Sequence, residues 1–205
     1  MMTEIERQQI ISLVKCEVIP AIGCTEPIAV ALCVAKAAEI LGKRPEKITV
    51  LLSANILKNA MGVGIPGTGM IGLPIAVALG ALIGKSEYQL EVLKDSTPEA
   101  VEEGKRFIDE KRIQISLKDG IEEKLYIEVC CEAGEDKATA IIAGGHTCFI
   151  YVAHNNEVLL NKQTESCHQT EKHTLELTLR KVYDFALTAP LLSLIHISEP
   201  TRRVV

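Results

Sequence analysis

A chain of 205 residues that is 47% hydrophobic is long enough to bury a substantial core, and its 24% charged residues give a net charge of -5 with no basic block, which excludes a nucleic-acid surface. Aromatics at 3% and the absence of tryptophan also argue against base-stacking platforms. Seven cysteines, at 16, 24, 33, 130, 131, 148 and 167, form no CxxC pair and follow no secretory signal, so a reduced, cytoplasmic setting without a closed zinc site is expected.

Residues 3–18 carry Ile5, Ile10, Ile11, Val14 and Val18 among charged neighbours, a 3.6-residue pattern that predicts an amphipathic helix ending near Pro20. Then comes Ile22-Gly23-Cys24-Thr25-Glu26-Pro27, which reads as the entry to a second helix over 26–41, with Thr25 as N-cap and Gly42 as C-cap. That helix is rich in alanine and uncharged from Pro27 to Ala35, so burial on most sides is expected. Cys24 would face its N-terminus, where unpaired N–H groups and the helix dipole stabilise a thiolate and raise its nucleophilicity and metal affinity. The competing reading is a small buried apolar residue, as free cysteines often are.

A strand over 47–53 leads into a polar cluster and a glycine-rich loop over 53–69. Here Asn55, Lys58, Asn59 and Thr68 offer hydrogen bonds or charge to a small carboxylate, and glycines such as Gly67 and Gly69 let backbone N–H groups approach it. Tight packing ahead of a buried helix is the alternative. The loop has neither the Gly-Lys-Ser/Thr of a P-loop nor a complete dinucleotide fingerprint. The uncharged run 61–84 is long enough for a bilayer, but its glycines and prolines leave a helix only over 73–82, too short to span. Thr97-Pro98 opens a charged helix over 97–110.

From Ile113 the period becomes two, with strands over 113–117, 125–131, 138–142, 148–152 and 158–160 separated by turn residues, which predicts an antiparallel meander. Within it Gly144-Gly145-His146-Thr147 interrupts a strand and presents a histidine suited to acid or base work, or to a structural role on the sheet. Cys130, Cys131 and Cys148 read as packing residues. Residues 163–172 read as a linker with a weak metal hint at Cys167-His168, residues 175–189 resume a helical pattern, and 191–205 resembles a translated sequencing adapter, excluded from fold reasoning.

Together, Gly23-Cys24-Thr25-Glu26-Pro27, the run from Ser53 to Asn59, Gly64-Ile65-Pro66-Gly67-Thr68-Gly69, Gly72-Leu73-Pro74-Ile75-Ala76 and Gly144-Gly145-His146-Thr147 resemble the L-cysteine desulfidase family, UPF0597, related to the iron-sulfur L-serine dehydratase alpha chain. The resemblance extends to about Pro190. It implies a fragment of a β-eliminating lyase that converts L-cysteine to sulfide, ammonia and pyruvate. It also implies a [4Fe-4S] cluster in the intact parent, held mostly by a C-terminal part absent here, so the fragment is expected to be inactive. Cys24 matches the family's N-terminal active-site cysteine, as base, ligand or guard of an open iron. Asn55, Asn59, Thr68 and His146 lie in matching motifs, beside the carboxylate cradle of Lys58, Gly67 and Gly69. Two other functions stay open on residue chemistry: a metal-free thiol enzyme using Cys24 and His146, and a non-catalytic amino-acid-binding domain.

The expected fold is α+β. N-terminal helices with Cys24 and the glycine loop span 1–112, an antiparallel sheet 113–163, a linker and helical start 164–190, and the adapter-like tail 191–205. The partner expected is a small amino acid, with no nucleic acid and no membrane; cysteine or serine preference and oligomeric state are not written in the chain.

Overall fold

The computed structural model describes residues 2–163 and 176–189. They fall into two compact units, one made of residues up to Pro20 with those from Gln169 onward, the other running from Ala21 to His168. The boundary expected at 112/113 falls inside the second unit, because a strand from each side of it enters one sheet.

The first unit begins with α1 (Glu4–Glu17), whose start is fixed by a capping box: Thr3 accepts from the Glu6 N–H, and the Glu6 carboxylate accepts from the Thr3 N–H at 2.9 Å. The second unit opens with α2 (Thr25–Leu41) and β1 (Lys47–Leu52). It continues through α3 (Ala54–Ala60), the hairpin strands β2 (Gly64–Ile65) and β3 (Met70–Ile71), α4 (Leu73–Ile83), a 3-10 turn (Ser86–Glu91) and α5 (Pro98–Asp109). It then runs through β4 (Ile113–Leu117), β5 (Tyr126–Ala133), β6 (Asp136–Ala143), β7 (Phe149–His154) and β8 (Glu157–Asn161). Returning to the first unit, α6 (Leu179–Thr188) is capped by Thr178 and holds α1 through a Lys181–Glu6 ion pair at 3.0 Å and an Arg7 bond to the Thr188 carbonyl at 2.9 Å.

The α+β expectation holds. A six-stranded sheet has the order β4-β1-β5-β6-β7-β8. From β5 to β8 it is the antiparallel meander expected, with the β5–β6 and β7–β8 turns falling at turn residues of the sequence and the β6–β7 connection at Gly144 to Cys148. Its other side departs from that expectation: β1 pairs antiparallel with β5 and parallel with β4. Three helices separate β1 from β4 in the chain, and a crossover of that length is what parallel neighbours require.

One face of the sheet is buried, with Ile48, Val50 and Leu52 of β1 in register with Cys131, Val129 and Ile127 of β5 and then with Ala138, Ala140 and Ile142 of β6. Against it lies α2, from Ile28 to Ala35 at most 1% exposed, which explains why that helix carries no polar face. Small residues let α4 approach it closely: a Cβ on Gly80 would stand 2.6 Å from the Ala31 carbonyl oxygen. On its other side α4 meets α5 at Gly104, beside Ile75. Each fully buried Leu, Ile or Val in this layer contributes roughly 1.5–3 kcal/mol from the area removed from water. Among the described residues no helix is long and apolar enough to cross a membrane.

Candidate functional site

The N-cap of α2 is Cys24 itself rather than Thr25, which becomes the first helical residue. The usual cap bond would go to the N–H of the third helical residue, but that residue is Pro27, which has none. Cys24 makes no side-chain cap bond, and its thiol is free and exposed. No acceptor among the described residues meets the N–H groups of Cys24, Thr25 and Glu26. The sulfur therefore sits at the open, positive end of a buried helix.

Gly23, at φ +87, carries the chain into this cap, and a Cβ there would stand 2.9 Å from Cγ of Pro66. The thiol motif and the glycine-rich loop are thus in direct contact. Behind them, the Ile22 N–H bonds the Leu90 carbonyl at 3.1 Å, tying the entry of α2 to the 3-10 turn. The loop is a hairpin in which the Thr68 N–H bonds the Ile65 carbonyl, with Pro66 and Gly67 (φ +77) at the two turn positions that suit proline and a positive φ. Gly67 and Gly69 are exposed, and their N–H groups have no acceptor among the described residues.

Thr68 is otherwise engaged: it is 7% exposed, donates to the Ile65 carbonyl at 2.7 Å and accepts from the Met70 N–H at 3.0 Å. Its hydroxyl holds the turn. The polar cluster ahead of the glycine-rich loop is the short helix α3, begun by Ser53, whose hydroxyl donates to the Lys124 carbonyl at 2.8 Å. Asn55, Lys58 and Asn59 share its exposed side, while Ile56 and Ala60 are buried. Asn59 reaches the Glu26 carboxylate at 3.5 Å, and the Thr25 hydroxyl donates to that carboxylate at 3.2 Å. Glu26 is the polar residue that sequence reasoning passed over, having counted it only as a helix-start acid.

His146 lies in the loop between β6 and β7 rather than in a strand, half-buried, where Gly144 turns at φ +78 and its N–H bonds the Leu125 carbonyl at 3.2 Å. The fold brings that loop to the end of the sheet occupied by Cys24. Lys43, just past α2, pairs with Asp136 at the start of β6, and Cys33 donates to the Ala140 carbonyl at 3.3 Å, so α2 runs antiparallel to β6. From Cys33 back to Cys24 is about 13 Å of helix, and from Ala140 to Ala143 about 10 Å of strand. Leu52, Ile127 and Ile142 form one row across the sheet, which puts the start of α3 at this end too.

The other described cysteines differ. Cys33 and Cys131 are buried, and loss of solvent raises both thiols, Cys131 to about 12. Cys130 is half-buried and also raised by desolvation. Cys148 precedes β7 and is disulfide-bonded, so it is not a strand packing residue as expected. Cys167 and His168 lie outside the described residues. Among the described residues no three His, Cys, Asp or Glu side chains come together to hold a metal ion. Cys24 offers one thiol ligand, which does not amount to a cluster site within the described chain.

An open groove of about 550 Å3 lies at the far end of α2, lined by Glu39, Lys43, Arg44 and Glu103 among small residues. Its charges are already satisfied, Arg44 by Glu103 at 2.6 Å, Lys43 by Asp136 and Glu39 by the Ser86 N–H at 2.6 Å. The exposed Cys24 thiol and the glycine hairpin lie at the opposite end of α2.

An α+β unit with an exposed thiol at a helix N-terminus beside a glycine hairpin is the class these observations define. By sequence the chain is similar to proteins named UPF0597: it is 78% identical to one from Bacteroides fragilis over 201 residues, 98% of this chain and 47% of that protein. It is 75% identical to one from Bacteroides thetaiotaomicron over 190 residues and 43% identical to one from Chromobacterium violaceum over 192, each time covering 44% of the relative. The chain therefore spans about half the length of the curated relatives it matches. The B. fragilis match leaves out four residues of this chain and so enters the stretch read above as adapter-derived. No family model matches, and no solved structure matches.

Proposed function

We propose that the chain supplies the thiol-bearing half of a UPF0597 β-eliminating lyase acting on L-cysteine, with L-serine as the close alternative substrate. The observation that carries this reading is the contact of Gly23 with Pro66, which joins the two motifs resembling the desulfidase family into one surface. On that surface the exposed N–H groups of Gly67, Gly69 and the α2 N-terminus suit a substrate carboxylate. The Glu26 carboxylate, held by Asn59 and Thr25, suits the ammonium. In this reading Cys24 takes the proton from Cα, and His146 returns a proton to the departing group. Elimination gives aminoacrylate and sulfide; the aminoacrylate tautomerises to the imine, and water releases ammonia and pyruvate. A cluster, where bound, would supply a Lewis acid for the leaving sulfur, and its remaining ligands would come from the part of the relatives that this chain does not match.

The test is anaerobic sulfide release by this chain joined to the unmatched half of the B. fragilis relative, after reconstitution with iron and sulfide. Sulfide and pyruvate should appear in equal amounts, and Cys24→Ala should lower the rate by about 100-fold or more. The 205-residue chain alone should release none. If the joined chain eliminates neither sulfide from L-cysteine nor water from L-serine, the lyase reading fails. Turnover by the 205-residue chain without metal, lost in Cys24→Ala and His146→Ala, would instead establish a thiol enzyme.

A further inference from the structure

The ten residues of α6 divide into a largely polar side that holds the buried Phe185 and an apolar side that is exposed. One side belongs to α1: Lys181 pairs with Glu6, Phe185 is buried at 8% exposure, and Thr188 accepts from Arg7. At 100° per residue these three lie within one narrow stripe. On the opposite side fall Leu179, Val182, Tyr183, Ala186 and Leu187, and all five are exposed, Leu179 at 88% and Leu187 at 68%. No charged residue interrupts that side; Arg180 and Asp184, paired with each other at 3.2 Å, stand at its flank. An amphipathic helix buries its apolar stripe, yet α6 leaves that stripe exposed, and a helix this short is not stable through its backbone alone.

We infer that this outer stripe of α6 is the seat of the additional half that the relatives carry. The alignment with the B. fragilis protein takes in α6 and still leaves more than half of that protein unmatched, so a covering segment of domain size exists in the relatives. The inference stands whether or not the lyase reading does, since it concerns packing and not chemistry.

Hydrogen exchange tests it, comparing the 205-residue chain with the same chain joined to the unmatched half of the B. fragilis relative. The α6 amides should exchange at least about tenfold more slowly in the joined protein, and the 205-residue chain should be a monomer with fast-exchanging α6. Leu179→Lys with Leu187→Lys should abolish the added protection in the joined protein while leaving exchange across β5 and β6 of the 205-residue chain unchanged. Equal α6 exchange in the two proteins overturns the inference. So does strong protection of α6 in the 205-residue chain alone, whether that chain is monomeric, in which case the stripe packs within it, or dimeric, in which case a second copy is the occupant.

Discussion

Replacing Gly23 by alanine separates backbone strain from the contact that joins the thiol motif to the hairpin. An L-residue at φ +87 costs roughly 1–2 kcal/mol, as for left-handed conformations generally. The new Cβ would also stand 2.9 Å from Cγ and 3.0 Å from Cδ of Pro66. Both atoms belong to a ring that cannot swing away, so overpacking adds about 1–3 kcal/mol. The total is about 2–5 kcal/mol. Gly67→Ala is the control, because Gly67 has φ +77 and nothing within 4 Å of a Cβ, leaving only the strain of about 1–2 kcal/mol. Urea unfolding of the 205-residue chain, followed by far-ultraviolet dichroism, should show a midpoint loss of about 1–2.5 M for Gly23→Ala and about half that or less for Gly67→Ala, at a slope near 2 kcal/mol/M. Alkylation of Cys24 should change in rate in the first variant and not in the second. Equal midpoint losses, or an unchanged Cys24 rate in Gly23→Ala, would refute the claim that the two motifs touch.

Three further predictions rest on different parts of the chain. Gly80→Ala drives a methyl to 2.6 Å from the Ala31 carbonyl oxygen and 3.1 Å from its Cα, backbone atoms in a rigid helix, and should cost at least about 2 kcal/mol in the same urea assay; a neutral result means that α2 and α4 are farther apart. Brief alkylation at about pH 8 followed by peptide mass analysis should modify Cys24 ahead of Cys130, and Cys33 and Cys131 only on unfolding, because burial both shields those two and raises their thiols. Early labelling of Cys33 would contradict the closed core. Glu6 is held at about 2, below its ordinary 4.5, by the Thr3 N–H first, then by Lys181 and the Thr3 hydroxyl. Its folded value is depressed, so its stabilisation of α1 is complete above about 4.5 and is lost as the pH falls toward 2. Helicity measured through that window should decline less in Glu6→Gln than in the parent chain, and parallel curves would rule the capping carboxylate out as the cause.

The elements with strong periodicity were legible from the residues. Alternating burial along β5 and β6 follows the alternation of their side chains, and the Gly42 C-cap of α2 is a left-handed residue at φ +68 as a glycine there suggests. What the sequence concealed was local. Seven residues of α3 are too few for a helical period to register, and Ser53, Asn55 and Asn59 read as loop chemistry until Ile56 and Ala60 are seen to be buried. The shift of the α2 cap from Thr25 to Cys24 is one residue, within the spread that N-cap preferences allow, yet it moves the sulfur onto the cap itself. The parallel pairing of β1 with β4 was available in principle, since strand, helices and strand in that order imply a crossover. The Glu26–Asn59 contact was not available, because it joins residues far apart in sequence whose meeting depends on where α3 leaves the sheet.

The two ends of α2 differ in how far their polar groups are satisfied, and the proposed lyase chemistry would need a cover at the thiol end. At the C-terminal end every charge around the groove has a partner, and the surface is finished. At the N-terminal end Cys24, Asn59, Gly67 and Gly69 are all exposed, and the first N–H groups of the helix have no acceptor among the described residues. Removal of a proton from carbon and expulsion of sulfide both depend on charges held away from bulk water, where electrostatic interactions are weak. An open surface does not provide that. The second unit nevertheless has a closed core of its own, with α2 and the inner sheet face almost wholly buried, so its folding does not call for such a cover. Stability and activity should therefore part company in this chain: the unit from Ala21 to His168 should unfold cooperatively by itself, while chemistry at Cys24 should appear only once another segment closes over it.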